Sequence, residues 1–264
     1  MALRPVRPAC TFWAVMWTWP RLLLPCKTLQ YLLSTTPAPA SSTQASTTKA
    51  STTKAKEGSL SMTSSEPFRV LTVCTGNICR SPLAERVLQA GFDALHPGVF
   101  EVTSAGTGAI VDHSMQPEAA ELVQKYGGDS DGFVSRQITP EIARAADLVL
   151  VMTTEHRSQV IQLSPALLKR TFTVREFARM LDALAPRRAN LPIEDTVAGQ
   201  WRQLPALAAS VRHLCLPETP EDNDVSDPFR RGQKAWVKMD GELSPALRKI
   251  FRYARHITKD PAAN

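Results

Sequence analysis

The sequence predicts an α/β protein built on a parallel sheet with helices on both faces. Three observations predict it. From Phe68 onward, short apolar runs alternate with amphipathic stretches of helix length. One of these runs, Leu148-Val149-Leu150-Val151-Met152, has no polar residue, as expected of a strand buried on both sides. A turn bearing Gly76 and Asn77 joins the first apolar run to the first helical pattern, an arrangement suited to gripping an anion.

The elements follow in order. Val70, Leu71 and Val73 mark the first strand, and Leu83, Val87, Leu88 and Phe92 repeat at helical spacing in a helix over about Pro82–Leu95, with Ser81-Pro82 as its N-cap and first residue. A second strand near Val99–Thr103 ends in Ser104-Ala105-Gly106-Thr107, and a looser segment leads to a helix from about Pro117. Thr139-Pro140-Glu141 caps a short helix before the Leu148–Met152 strand. A helix over Thr154–Leu163, a short strand at Phe172–Val174 and a helix over Arg175–Leu184 complete the alternation. Residues 186–224 read as an insertion with one amphipathic stretch, Trp201–Leu214, too short for a core of its own. After Asp227-Pro228-Phe229, a last helical pattern through Trp236, Met239 and Leu243 is expected to restart at Ser244-Pro245.

The chain has 264 residues, 43% hydrophobic and 21% charged, with a net charge of +6. That charge is local. Residues 1–66 carry seven Lys/Arg against two Glu, while residues 67–264 carry 24 basic against 23 acidic, so nucleic-acid binding is not expected. Residues 1–66 form a disordered or targeting-like extension. A basic, apolar start is interrupted by Pro20, Arg21, Pro25 and Lys27 well short of a membrane span, and a Ser/Thr/Ala tract follows in which Ala45–Lys49 is repeated as Ala50–Lys54. Three readings of it stay open: a secretory signal ending at Ala38-Pro39-Ala40, an organelle transit peptide, or an extension upstream of a start at Met62. Five scattered cysteines make no disulfide framework and favour a reducing, cytoplasmic setting.

The chemistry concentrates in Val73-Cys74-Thr75-Gly76-Asn77-Ile78-Cys79-Arg80-Ser81-Pro82. Cys74 leads the turn, Gly76 and Asn77 can take the positive φ of a tight loop, and backbone N–H groups from Thr75 to Arg80 would point inward at one small anion. These donors, the helix dipole and Arg80 would together stabilise the charge of a nucleophilic thiolate. Arg80 can bind two phosphate oxygens through its planar fork. A phosphate ester cleaved this way needs an acid for its leaving group, and that acid must come from elsewhere in the chain.

The decapeptide resembles the signature V-C-x-G-N-I-C-R-S-P of the low-molecular-weight protein tyrosine phosphatase family, matching every fixed position. Ser104–Thr107, Ser135–Thr139, Ala146–Met152 and Asp227-Pro228-Phe229 resemble family segments in the family's order, so the likeness runs over roughly residues 67–257, and 67–264 reads as one phosphatase-like domain. The resemblance implies a small doubly wound fold with a four-stranded parallel sheet. It also implies metal-free, cofactor-free hydrolysis of phosphate monoesters on phosphorylated proteins through a cysteinyl-phosphate. It makes Asp227 the acid, with Asp222, Asp224 and Asp240 as competitors. Asn77 and Ser104 become a pair that holds the loop, Ser81 a hydroxyl beside the thiol, and Phe229 a pocket wall. Cys79 has two readings, a redox partner for Cys74, as the family implies, or a packing thiol. Thr75, Ile110-Val111, Phe133 and Arg230 depart from better-known members. Cys74-Thr75-Gly76-Asn77 and Asp227-Pro228-Phe229 also resemble the protein-arginine phosphatase branch, but Ile78 favours an aromatic ester over a polar phosphoguanidinium. An arsenate reductase would need a cysteine relay that Cys215 alone does not supply, and intact Cys74, Arg80 and Asp227 disfavour a silent phosphate-binding module. A zinc site is not expected, and all five histidines are expected to be solvated or structural, with His113 nearest the loop.

Overall fold

The computed structural model describes residues 66–190 and 194–257. The readings of the N-terminal extension therefore fall outside the described residues, as do residues 191–193 of the inserted segment.

In chain order the elements are β1 (Phe68–Cys74), α1 (Arg80–Leu95), β2 (Phe100–Gly106), α2 (Pro117–Lys125), α3 (Pro140–Ala145), β3 (Leu148–Val151), α4 (Thr154–Leu163), β4 (Thr171–Thr173), α5 (Val174–Leu184), α6 (Val197–Ser210) and α7 (Gln233–Arg255). The strands form one parallel sheet in the order β2-β1-β3-β4. Because side chains alternate along a strand, the sheet has two distinct faces. Phe68, Val70, Leu148, Leu150 and Phe172 join Leu88 and Phe92 of α1, Val123 of α2, Phe177 and Leu181 of α5, Trp201 of α6 and Leu243 and Leu247 of α7 in the larger core. Leu71, Val73, Val149 and Val151 join Ala143 of α3 and Val160 of α4 in the smaller one. The expected four-stranded α/β sheet with helices on both faces is the observed architecture.

Local chemistry sets several element starts. Thr139, Thr153, Thr173 and Thr196 each accept a hydrogen bond from a backbone N–H of the first turn that follows, capping α3, α4, α5 and α6. Helix α1 differs from expectation. It begins at Arg80 with Cys79 in the cap position and no side-chain cap bond, so Ser81 lies inside its first turn and is free to bond elsewhere.

Two further differences come from tertiary packing. The last helix does not restart at Ser244-Pro245: α7 is continuous through Pro245, because Leu243, Ala246, Leu247 and Ile250 on either side are all buried in the larger core. Proline at that position removes one bond, to the carbonyl of residue 241, and that residue is a glycine with open space around it. The inserted segment forms α6 four residues earlier than its amphipathic pattern suggests, and its Trp201 is fully buried. The indole sits 5.0 Å from the ring of Phe100, 5.4 Å from Phe92 and 5.7 Å from Phe68. Helices α1 and α7 approach closely at Gly91, where a Cβ would lie 2.3 Å from the ring of Phe251.

Candidate active site

In the order β2-β1-β3-β4 the chain leaves β1 towards one edge of the sheet and returns to fill the other, so the crevice at the carboxyl ends of β1 and β3 is the topological switch point. The turn from Cys74 to Arg80 leaves β1 there, and Met152-Thr153 leaves β3 beside it.

The turn is shaped by its outward hydrogen bonds. The carbonyls of Thr75, Gly76 and Ile78 accept from the N–H groups of Gly108, Ile110 and Gln116 at 3.0, 3.0 and 2.7 Å. A trans peptide points its N–H opposite its carbonyl, so the N–H groups of Gly76, Asn77 and Cys79 face the inside of the turn. Within the turn only Asn77 has positive φ, at +54°, and Gly76 does not share it, contrary to expectation. The strained Asn77 is fully buried and braced three ways. Its amide nitrogen donates to Ser104 Oγ at 2.7 Å and to Ser81 Oγ at 2.9 Å, and its oxygen accepts from the backbone N–H of Arg136 at 2.8 Å. Close approach also fixes Gly106 at the end of β2, where a Cβ would stand 2.4 Å from the carbonyl oxygen of Thr75.

Cys74 lies at the floor of this turn, 2% exposed, with its sulfur 3.0 Å from Ser81 Oγ. Arg80 is buried above it. One guanidinium nitrogen donates to the carbonyl of Val225 at 3.1 Å and another meets Asp227 Oδ2 at 3.2 Å, while its buried Nε has no partner among the described residues. Asp227 is thus brought to the mouth of the turn, with its side chain 39% exposed. Its Oδ1 accepts from the N–H of Phe229 at 3.2 Å, which orients the carboxylate together with the restriction Pro228 imposes. Asp222 and Asp224 line the same cavity but are engaged elsewhere. Asp224 accepts from the Thr154 N–H, and Asp222 pairs with Arg175 and caps its own turn. Asp240 is remote from it and is bonded to Tyr126 and Lys125.

The turn separates two cavities. On the Ile78 side a groove of about 410 Å³ is walled by Ile78, Ile110, Phe229 and Trp236, with His113, Gln116, Glu118 and Arg230 at its polar edges. The Arg230 guanidinium lies 5.0 Å from the Phe229 ring centre, so the polar residue after Phe229 extends that wall. On the Asp227 side a cavity of about 550 Å³ is polar and includes Thr75, His156, Arg175 and Glu242.

Of the histidines expected to be solvated or structural, two are buried. His96 bonds the Ala254 carbonyl at the end of α7. His156, in the first turn of α4, sits between Thr75 Oγ1 at 2.8 Å from Nε2 and Thr153 Oγ1 at 2.9 Å from Nδ1. Burial first, and then the Arg80 charge, lower its pKa to about 4 against the opposing pull of Asp227, so the ring is neutral near pH 7. A neutral ring carries one N–H, so it donates to one of these threonine hydroxyls and accepts from the other, while Thr153 Oγ1 also accepts the cap N–H of His156. The position that departs from the family's apolar residue is therefore an exposed hydroxyl bonded to a buried histidine. Cys79 is buried in the larger core, and burial together with neighbouring Cys74 raises its thiol pKa to about 12. Phe133 is also core, with the Arg86 guanidinium 5.8 Å from its ring centre, while the backbone of Arg136 supports Asn77. Among the described residues, no group of three or more His, Cys, Asp or Glu converges as a metal-ligand set.

Fold and site together define a class: parallel α/β proteins with a cysteine at the floor of an anion-sized strand-to-helix turn. The sequence model of the low molecular weight phosphotyrosine protein phosphatase family matches residues 69–200. The chain belongs to that family. It is 35% identical over 177 residues to the low molecular weight protein-tyrosine-phosphatase Etp of Escherichia coli K12, covering 67% of this chain and 88% of the relative. It is 31% identical over 145 residues to the probable low molecular weight protein-tyrosine-phosphatase EpsP of Ralstonia solanacearum, covering 55% of this chain and 97% of that one. In three dimensions it is similar to the low molecular weight protein tyrosine phosphatase of T. tengcongensis, with a TM-score of 0.50 and 28% identity over 70% of this chain and 98% of the other.

Proposed function

We propose that the chain is a metal-independent, cysteine-dependent protein-tyrosine phosphatase acting on phosphorylated proteins. One observation carries the reading: Cys74 sits beneath inward-facing N–H groups, beside an Arg80 whose buried Nε has no partner among the described residues. That is a site built for a phosphoryl group. In the reading, the Cys74 thiolate attacks phosphorus, forming the S–P bond as the ester P–O bond breaks. Arg80 and the loop N–H groups hold the equatorial oxygens, where charge accumulates. Asp227 gives a proton to the departing oxygen, then takes one from the water that cleaves the cysteinyl-phosphate and returns the thiolate, which Ser81 Oγ stabilises at 3.0 Å.

The substrate class rests on the groove. Ile78, Ile110, Phe229 and Trp236 present apolar faces beside the turn, a lining that suits an aromatic ring, with the polar residues confined to the groove's edge. The names of the Escherichia coli and Ralstonia relatives support the same assignment. Among the described residues, no helix is long and apolar enough to cross a membrane, and Cys74, Cys79 and Cys215 are free thiols, as a reducing setting would keep them. We read Cys79 as a packing thiol at neutral pH, because its pKa is raised and its neighbours are core residues. We likewise read residues 67–264 as one domain that includes the insertion, because Trp201 is part of its core.

The test is to assay the full chain on phosphotyrosine and phosphoarginine peptides beside Cys74→Ser and Asp227→Ala. The expected result is release of phosphate from phosphotyrosine, abolished by the first substitution. Turnover by Cys74→Ser, or preference for phosphoarginine, would overturn the nucleophile or the substrate reading respectively.

A further inference from the structure

Several contacts anchor the segment bearing Asp227, and those made by Arg80 lie where a phosphoryl group would bind. Upstream, the Val225 N–H donates to the Met152 carbonyl at 2.8 Å, and an Arg175 Nη donates to the Asp224 carbonyl at 2.7 Å. Closest to the acid, Arg80 holds both the Val225 carbonyl and the Asp227 carboxylate, yet Arg80 is the group a phosphoryl oxygen would claim. The other anchor is Glu242. From α7 its carboxylate spans Ser226, accepting from the Ser226 N–H at 2.6 Å and from the Ser226 hydroxyl at 3.0 Å. Two donors converge on two oxygens, a pattern that only a carboxylate accepts in full.

Resting on the reading of Asp227 as the general acid, we propose that Glu242 is the positioning residue that keeps Asp227 over the leaving group once substrate has engaged Arg80. The residues around it make this a firm base. Met239, Leu243 and Ala246 of α7 are buried in the larger core, so the helix carrying Glu242 is held in place by packing. Lys238, one helical turn away, approaches Glu242 only to 3.9 Å and is largely exposed, which leaves the carboxylate committed to Ser226. Glu242 touches no reacting atom, so its contribution is the placement of the neighbouring acid.

General-acid placement has a kinetic signature that general loosening lacks, because proton donation matters in proportion to the basicity of the departing oxygen. The experiment measures kcat/KM, which reports cysteine phosphorylation, for the full chain and its Glu242→Ala and Glu242→Gln variants on aryl phosphates of increasing phenol pKa. Glu242→Ala is expected to lower kcat/KM on phenyl phosphate about 10- to 100-fold while leaving 2,4-dinitrophenyl phosphate within about twofold. Glu242→Gln should recover most of the loss, since an amide can accept from the Ser226 N–H and donate to its hydroxyl. In an Asp227→Asn background, Glu242→Ala should add no further loss. Equal losses on every ester, or a full further loss on top of Asp227→Asn, would overturn the positioning role while leaving the phosphatase reading intact. Absence of any leaving-group dependence in Asp227→Asn alone would instead overturn the acid assignment, and the positioning role with it. Thermal midpoints of both Glu242 variants separate these outcomes from misfolding.

Discussion

Replacing Asn77 by Ala tests whether the active-site turn is held by its buried brace. The substitution removes three hydrogen bonds, the buried ones to Ser81 and Ser104 and the part-buried one from Arg136, and leaves Ala at a φ of +54°. At about 0.5–1.5 kcal/mol net per bond, with about 1–2 kcal/mol for a left-handed Ala, the loss is about 2.5–6.5 kcal/mol, with a middle value of about 4 kcal/mol. Against a domain stability of about 5–15 kcal/mol, the variant should still fold. Urea unfolding should show a midpoint lower by about 2 M with an unchanged slope, and kcat/KM on an aryl phosphate should fall by about 100-fold as the turn loosens. Asn77→Gly separates the two contributions. It loses the same bonds but accepts the positive φ, so it should be more stable than Asn77→Ala by about 1 kcal/mol. Ser104→Ala deletes one bond and should cost about 1 kcal/mol. An Asn77→Ala protein within about 1 kcal/mol of the parent, with its kcat/KM preserved, would refute the reasoning.

Two other outcomes follow from the site. The His156 ring should titrate near pH 4 by NMR. As pH falls from about 6.5 to 4 the unfolded chain therefore binds a proton that the native one does not, and the native state loses up to about 3 kcal/mol. His156→Gln should flatten that part of the stability profile, and a ring midpoint near 6.5 would contradict the assigned burial. Gly106→Ala places a methyl 2.4 Å from the Thr75 carbonyl, so it should cost about 1–3 kcal/mol and lower activity by displacing the turn, read from a melting curve and a single-substrate assay.

Most of the fold and the floor of the site were legible in the sequence because their signals are local. The apolar run at Leu148–Val151 is a strand in any buried context, and the Cys74–Arg80 turn contains its own glycine, asparagine, arginine and helix start. The unread parts depend on partners distant in sequence. His156 looks like an exposed helix residue until Thr75, 81 positions earlier, is placed against it. Glu242 looks like a solvated charge until the chain brings Ser226 over α7. Trp236 was visible as a helix residue, but its role as a groove wall depends on where α7 lies relative to Ile78. Pro245 is a local stop signal that burial of the flanking leucines overrides, and Ser81 matches a cap residue locally, so its place beside Cys74 was legible only through the family resemblance.

The ion pair between Arg80 and Asp227 has a consequence for selectivity. Without a ligand, the turn already contains an anion of its own, tethered a few ångströms away at high effective concentration. Any incoming group must displace this resident competitor, so binding is an exchange rather than an addition. A monoanion with one oxygen to offer replaces the carboxylate without profit, whereas a phosphoryl dianion can engage the guanidinium fork and the loop N–H groups together. In the proposed reaction the displaced carboxylate, once it has taken up a proton, stands at the mouth of the turn where the ester oxygen would depart, so the event that seats the substrate would also release the acid.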